Sequence, residues 1–192
     1  MADITLRSFV FLDNMQDQLA GFIGTTARGY LPVGGVAAYF IETAPGLIIN
    51  RLTDVALKAT SVAPGIMVVE RSFGLLEVHH KDQGQVRLAG RAVLEHLGLD
   101  ESGRLKPRVV SQEVIRGVEP YHAQILNKMR FGDMLIAGES LYIFEVEPAG
   151  EIADRFDHSL LCIFGGRLPG RAVAGDVHRH GVFVVVAAAV AD

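Results

Sequence analysis

The residues able to do chemistry fall into a few groups. Glu70 and Arg71 stand side by side ahead of Ser72-Phe73-Gly74, an acid and a base able to pair with each other or with a neighbour's charges. Asp54 and Lys58 lie four positions apart on a helical stretch, the spacing of a solvated helix ion pair. By spacing alone both pairs read as ordinary surface charge. His79 and His80 end a strand, where successive side chains point to opposite faces, so a shared metal is disfavoured. His178 and His180 would share a face if extended, but no third ligand accompanies them. His122, in a short helical stretch, reads as packed or solvated rather than as a base. Cys162 sits among Leu160, Leu161, Ile163 and Phe164, surroundings that favour a buried inert thiol. Gly29 and Gly34-Gly35 precede a strand and lack the Lys-Ser/Thr of a phosphate loop, so they read as turn glycines. No Ser-His-Asp set or carboxylate pair stands out, so no catalytic residue, metal ligand or cofactor is assigned.

The composition narrows the classes. In 192 residues, 18 Lys+Arg face 22 Asp+Glu for a formal charge of −4, with 49% hydrophobic and 21% charged residues. So apolar a chain with so little net charge folds rather than staying disordered. It has no cationic excess with which to displace counterions from phosphates, so nucleic acid is not an expected partner. One cysteine gives neither an internal disulfide nor a zinc cluster. Met1 to Arg7 carries charge where a signal peptide needs an apolar stretch. The longest apolar run, Gly181 to Ala191, is about half a bilayer span, and no membrane partner is expected. A soluble, cytoplasmic protein of one large or two small domains follows.

The positioning elements come in two copies. Shifted by 103 positions, Ala20, Gly29, Gly35, Tyr39, Glu42 and Pro45 fall on Ala123, Gly132, Gly138, Tyr142, Glu145 and Pro148. GYLPVGGVAAYFIETAPG lies over GDMLIAGESLYIFEVEPA without a gap. The first copy predicts strands at Thr5–Leu12, Val36–Glu42, Ile66–Glu70 and Leu75–His79. Helices are expected at Gln16–Ile23, at Asn50–Thr60 with Leu52, Val55, Ala56 and Ala59 on one side, and at Gln83–Leu97. The last of these turns Val86, Ala89, Ala92 or Val93, and Leu97 inward. The second copy predicts a strand at Val109–Ile115, a helix at Tyr121–Met129 and strands at Leu141–Val146 and Val182–Val186. Gly165–Gly175 reads as loop, and the second copy stops about nine residues before its counterpart. The fold class is α+β, two tandem domains of ferredoxin-like arrangement with helices over one sheet face. They span 1–100 and 107–192, joined by the polar, proline-ended DESGRLKP, the second divergent or incomplete after residue 150.

Several segments carry a resemblance: RSFVFLDNMQDQLAGFIGTTARGYLPV, APGLIINRLTDVALKAT, VVERSFGLLEVHHKDQGQV, LKPRVVSQEVIRGVEPYHAQILN and GESLYIFEVEPAG. Together they cover most of residues 4 to 150 and resemble the shell proteins of bacterial microcompartments. The likeness is to their tandem-domain, trimer-forming, circularly permuted class, related to its carboxysome member. The resemblance implies a non-catalytic tile: a homotrimer of two-domain chains, a pseudohexagon packed beside other shell proteins and in some cases stacked face to face on a second trimer. It places the Glu70-Arg71 tip on the threefold axis as a pore gate, with Ser72, Phe73 and Gly74 as the pore loop through which small metabolites pass. It places Lys58, with Asp54, along the tile edge. Residues 151–192 lack the alanine-rich helix, strand-loop-strand and last helix usual after the second PAG. The alternative is a trimeric small-molecule-binding regulator of ferredoxin-like fold with an effector in an interdomain cleft; an enzyme ranks behind both.

Overall fold

The computed structural model describes residues 4–70, 72–130, 137–138, 140–148, 150, 172–178 and 182–189, the last two stretches as backbone strands. The chain begins with β1 (Thr5–Leu12), α1 (Asp17–Thr26), β2 (Ala37–Ala44) and α2 (Ile48–Ala59). The hairpin of β3 (Ala63–Val69) and β4 (Gly74–His80) follows, then α3 (Gln83–Leu97). Beyond a 3-10 turn at Glu101–Gly103 come β5 (Arg108–Ile115), α4 (Pro120–Arg130), β6 (Ser140–Glu147), β7 (Ala172–His178) and β8 (Val182–Ala189).

These strands form two four-stranded sheets, ordered β1-β2-β4-β3 and β5-β6-β8-β7, with every neighbouring pair antiparallel. The repeat seen in the sequence is carried into the register. Thr5 pairs with Ala44 and Arg108 with Glu147, and both strand pairs slip at the same place, between Leu6 and Ser8 and between Val109 and Ser111. The turns before β2 and β6 match as well, with Gly35 and Gly138 at φ 85° and 88°.

β2 shows why the first sheet sits deep. Side chains alternate between its faces, yet Ala37 to Thr43 are all buried. Ala37, Tyr39 and Ile41 join the core with Leu76 and Val78 of β4 and the apolar sides of α2 and α3. A strand covered on both faces needs an almost unbroken apolar run, which AAYFIETA supplies apart from Glu42 and Thr43. The α2 face differs from expectation. Ile49, Leu52, Thr53 and Ala56 are buried, whereas Val55 is half-buried and Ala59 exposed, because the helix starts earlier and Ile49 takes the centre of the stripe. On α3 the inward residues are Val86, Ala89, Gly90 and Val93, so Val93 rather than Ala92 faces the core. Asp82 caps that helix by accepting the Gly84 N–H at 2.8 Å.

The segment after α3 is more than a tether. Leu105 N–H donates to the Leu6 carbonyl and Arg104 Nη1 to that of Phe9, so the segment is stitched along β1 at the sheet edge.

Two expectations for the second copy change. Gly165–Gly175 is not loop throughout, since β7 starts at Ala172 and Ala172–Gly175 are strand. Alanine and glycine carry little β signal of their own, and here pairing with β8 decides the conformation. The second sheet also has all four strands. The offset between matching strands grows from 103 (Thr5 to Arg108) to 109 (Ala63 to Ala172), so a fixed 103 register misplaces the later part. Residues 151–171 lie outside the described residues.

Candidate functional site

The hairpin tip between β3 and β4 is built on its own anchor. Glu70 N–H donates to the Phe73 carbonyl at 2.8 Å, closing the turn. Glu70 and Ser72 are exposed, and Arg71 lies outside the described residues. Phe73 is fully buried, so it is a root of this tip rather than part of its surface. Gly74 is buried too and begins β4.

Glycine is required where this tip meets the turn into α2. A Cβ on Gly46 would lie 2.2 Å from the Phe73 carbonyl oxygen and 2.6 Å from that of Glu70. One on Gly74 would lie 2.4 Å from the Gly46 carbonyl oxygen and from Ile49 Cγ1. The two backbones touch directly, which fixes the tip against the sheet end.

Behind Phe73 lies a buried polar joint that sequence reasoning missed. The Arg7 guanidinium carbon is 5.7 Å from the Phe73 ring centroid, within cation–π range. Its Nε donates to Glu42 Oε1 at 2.5 Å, and the Gly150 N–H donates to Glu42 Oε2 at 2.7 Å. Glu42 is wholly buried, and burial pushes its carboxyl up, with the Gly150 N–H and Arg7 pulling against that. This carboxylate therefore ties the first repeat to the second. Arg7 Nη2 also lies 3.9 Å from Glu147, which pairs more closely with Arg108 at 2.6 Å. The available signal was a glutamate repeated as Glu145 inside two otherwise apolar strands.

A second buried pair sits along β4. His79 Nδ1 is 3.0 Å from Glu77 Oε1, and the Gly65 N–H donates to Oε2 at 3.0 Å. Burial raises the Glu77 carboxyl, with His79 opposing. His80 points the other way and accepts the Asp82 N–H, as alternation along a strand demands.

Asp54 and Lys58 do pair, at 2.7 Å on the outer side of α2, both well exposed. They are on a different element from the tip and are not brought to it. His122 is exposed, and its backbone N–H, not its ring, contacts Glu119. Cys162 and His180 lie outside the described residues, as does the side chain of His178. Among the described residues no three His, Cys, Asp or Glu side chains are placed to hold one metal ion. None of the described helices is long and apolar enough to cross a membrane. A cleft of about 540 Å³ opens along β3 between Arg28-Gly29, Thr53 and Pro64–Val68, within the first repeat rather than between the two.

Comparison with known proteins bears on this geometry. Residues 6–103 match the family model of the CsoS1D N-terminal domain. The carboxysome shell protein CcmP of Synechococcus elongatus is 53% identical over 150 residues, 78% of this chain and 70% of that protein. The carboxysome shell protein CsoS1D of Hydrogenovibrio crunogenus is 45% identical over 150 residues, 78% of this chain and 73% of that one. Among solved structures, the fused permuted hexameric shell protein of the RMM microcompartment superposes with a TM-score of 0.86 at 35% identity, covering 97% of this chain and 89% of that one. The double-ringed trimeric shell protein of the same microcompartment gives 0.85 at 31% identity, covering 98% and 89%.

Proposed function

Because the chain belongs to the CsoS1D family of permuted tandem microcompartment shell proteins, we propose that it tiles a microcompartment shell as a pseudohexagonal homotrimer with a gated central pore. Its relatives are structural shell proteins, and no catalytic step is assigned to it. The observation that carries the reading is the pair of sheets with one strand order and one register in a single chain. Two equivalent domains per chain let three chains fill six positions of a hexagonal lattice. The domains are 1–100 and 107–192, with the segment between them laid along β1.

The gate is the Glu70-Arg71 tip. Three copies around one axis ring an opening with alternating charge, and neighbouring acids and bases close it by pairing across the axis. A solvated ion pair is worth about 0–1 kcal/mol, so open and closed arrangements lie near each other in free energy. The buried Phe73 and the Gly46–Gly74 contact support this division of labour, holding the base of the tip still while Glu70 and Ser72 face solvent. Pore width and ringed charge then select which small metabolites pass. Asp54 and Lys58 lie on the tile edge, where neighbouring shell proteins pack, and a second trimer stacks on one face.

Electron microscopy and native mass of the purified protein test the reading. Trimers that grow into hexagonal sheets, tubes or double-layered discs are expected. Discrete particles that never assemble, and whose melting temperature rises with one metabolite, would instead indicate the small-molecule-binding regulator.

A further inference from the structure

The contact joining the two repeats of one chain has a counterpart position in the second repeat. Within the chain, Glu42 on β2 receives Arg7 from β1 on one oxygen and the Gly150 N–H on the other. Ser8, paired with Glu42 across the sheet, lies under Gly150 so closely that a Cβ there would sit 1.9 Å from its Oγ. On the 103 offset Ser111 pairs with Glu145 as Ser8 does with Glu42, Val110 stands where Arg7 does, and Leu47 where Gly150 does.

Several side chains at and beside these positions face solvent. Ser8, Val10 and Leu12 on β1 are buried, but Ser111 and Glu113 on β5 are exposed and Ile115 is half-buried. Leu47 is 74% exposed, the highest value among the large apolar side chains described, and Val110 is 43% exposed. The substitutions run together: the polar–small pair Arg7 and Gly150 becomes the apolar pair Val110 and Leu47.

We infer that Leu47 of one copy seats on β5 of the next, against Val110, forming the joint between chains. The occupant is a second copy of this chain, because the two complementary halves are carried on different repeats of one molecule and cannot meet within it. A contact of this head-to-tail kind closes a ring when its rotation divides a full turn. The joint inside the chain is held by the Glu42 carboxylate; the joint between chains adds the apolar pair Leu47 and Val110. Leu47 adjoins Gly46, which lies against the tip, so the copy contact runs beside the hairpin that carries Glu70.

The inference rests on the trimeric tile reading, and the test separates the two. In full-length protein carrying Cys162→Ser, Leu47→Cys with Val110→Cys is treated with a short bismaleimide and run on a denaturing gel. Covalent dimers and trimers are expected from the double variant, with each single variant remaining a monomer. A trimeric native mass without cross-linked species overturns the contact and leaves the tile standing. A monomeric native mass for the unsubstituted protein overturns both. Independently, Leu47→Asp is expected to drop the native mass from three chains to one with the circular dichroism spectrum unchanged; a variant that stays trimeric overturns the proposal.

Discussion

At the scale of single residues, the two buried glutamates make stability depend on pH. Glu42 and Glu77 are both held above the ordinary carboxyl value of 4.5, chiefly by burial. A carboxyl whose folded pKa exceeds its unfolded one binds more protons in the native state. Its contribution to stability is therefore complete below the unfolded value and is lost as pH rises through the folded value. For Glu77→Gln, the unfolding free energy of the parent minus that of the variant is expected to fall as pH rises above 4.5. The slope can reach about 1.4 kcal/mol per pH unit. Urea titrations across that range measure it, and a difference that is flat or rises with pH would mean that His79 and the Gly65 N–H fully offset burial. Phe73 makes a different kind of contribution. Truncating a fully buried phenylalanine costs about 3–5 kcal/mol, so Phe73→Ala is expected to lower the urea midpoint strongly and to speed amide exchange at Glu70. Unchanged exchange there would show that Gly46 and Gly74 alone hold the tip. Little of this is legible in single residues: Phe73 reads as part of the pore loop until the turn closes over it, and Glu42 is marked only by its repetition as Glu145 within largely apolar strands.

At the scale of elements, the sequence carried most of the first repeat, because its strands and helices have distinct periods and strong turn residues. Thr5–Leu12 and Gln83–Leu97 were bounded correctly, and Val109–Ile115 within one residue, since each run is closed by polar or glycine positions. β7 was the hard case, its Ala172, Ala174 and Gly175 giving no periodic signal before β8 pairs with them. The joint between repeats was hidden for a related reason: Gly150 is the end of a proline-alanine-glycine turn, and only the assembled sheet puts Ser8 beneath it. Gly150→Ala is expected to push the second repeat off the Glu42 carboxylate, at a cost of about 1–3 kcal/mol typical of overpacking. Unfolding should then separate into two transitions while the first repeat keeps its midpoint. Adding Ser8→Ala removes the nearest atom and leaves Cβ at 3.1 Å, so it is expected to restore part of the loss. A single unshifted transition in Gly150→Ala would mean that the repeats are joined elsewhere.

At the scale of the whole molecule, the proposed tile must serve a closed ring and an extended lattice at once, and the surfaces proposed for each lie apart. The tip and Leu47 flank the turn into α2, whereas Asp54 and Lys58 lie further along that helix on its outer side. Lys58 is 76% exposed and makes one exposed ion pair with Asp54, a contact of little weight within the chain. Its long apolar stem and charged head instead suit a lattice contact, where the stem packs and the ammonium reaches backbone carbonyls of the neighbour. Lys58→Ala is thus expected to leave the melting temperature and the three-chain mass as they are and to abolish sheets seen by electron microscopy. Glu70→Ala with Arg71→Ala, by contrast, should leave both trimer and sheets intact and hold the pore open in a cryo-EM map. The two variants separate lattice from gate, because one changes assembly without touching the axis and the other changes the axis without touching assembly. Sheets that survive Lys58→Ala would remove α2 from the lattice contact. A trimer that falls apart on loss of Glu70 and Arg71 would make the tip an architectural joint rather than a valve.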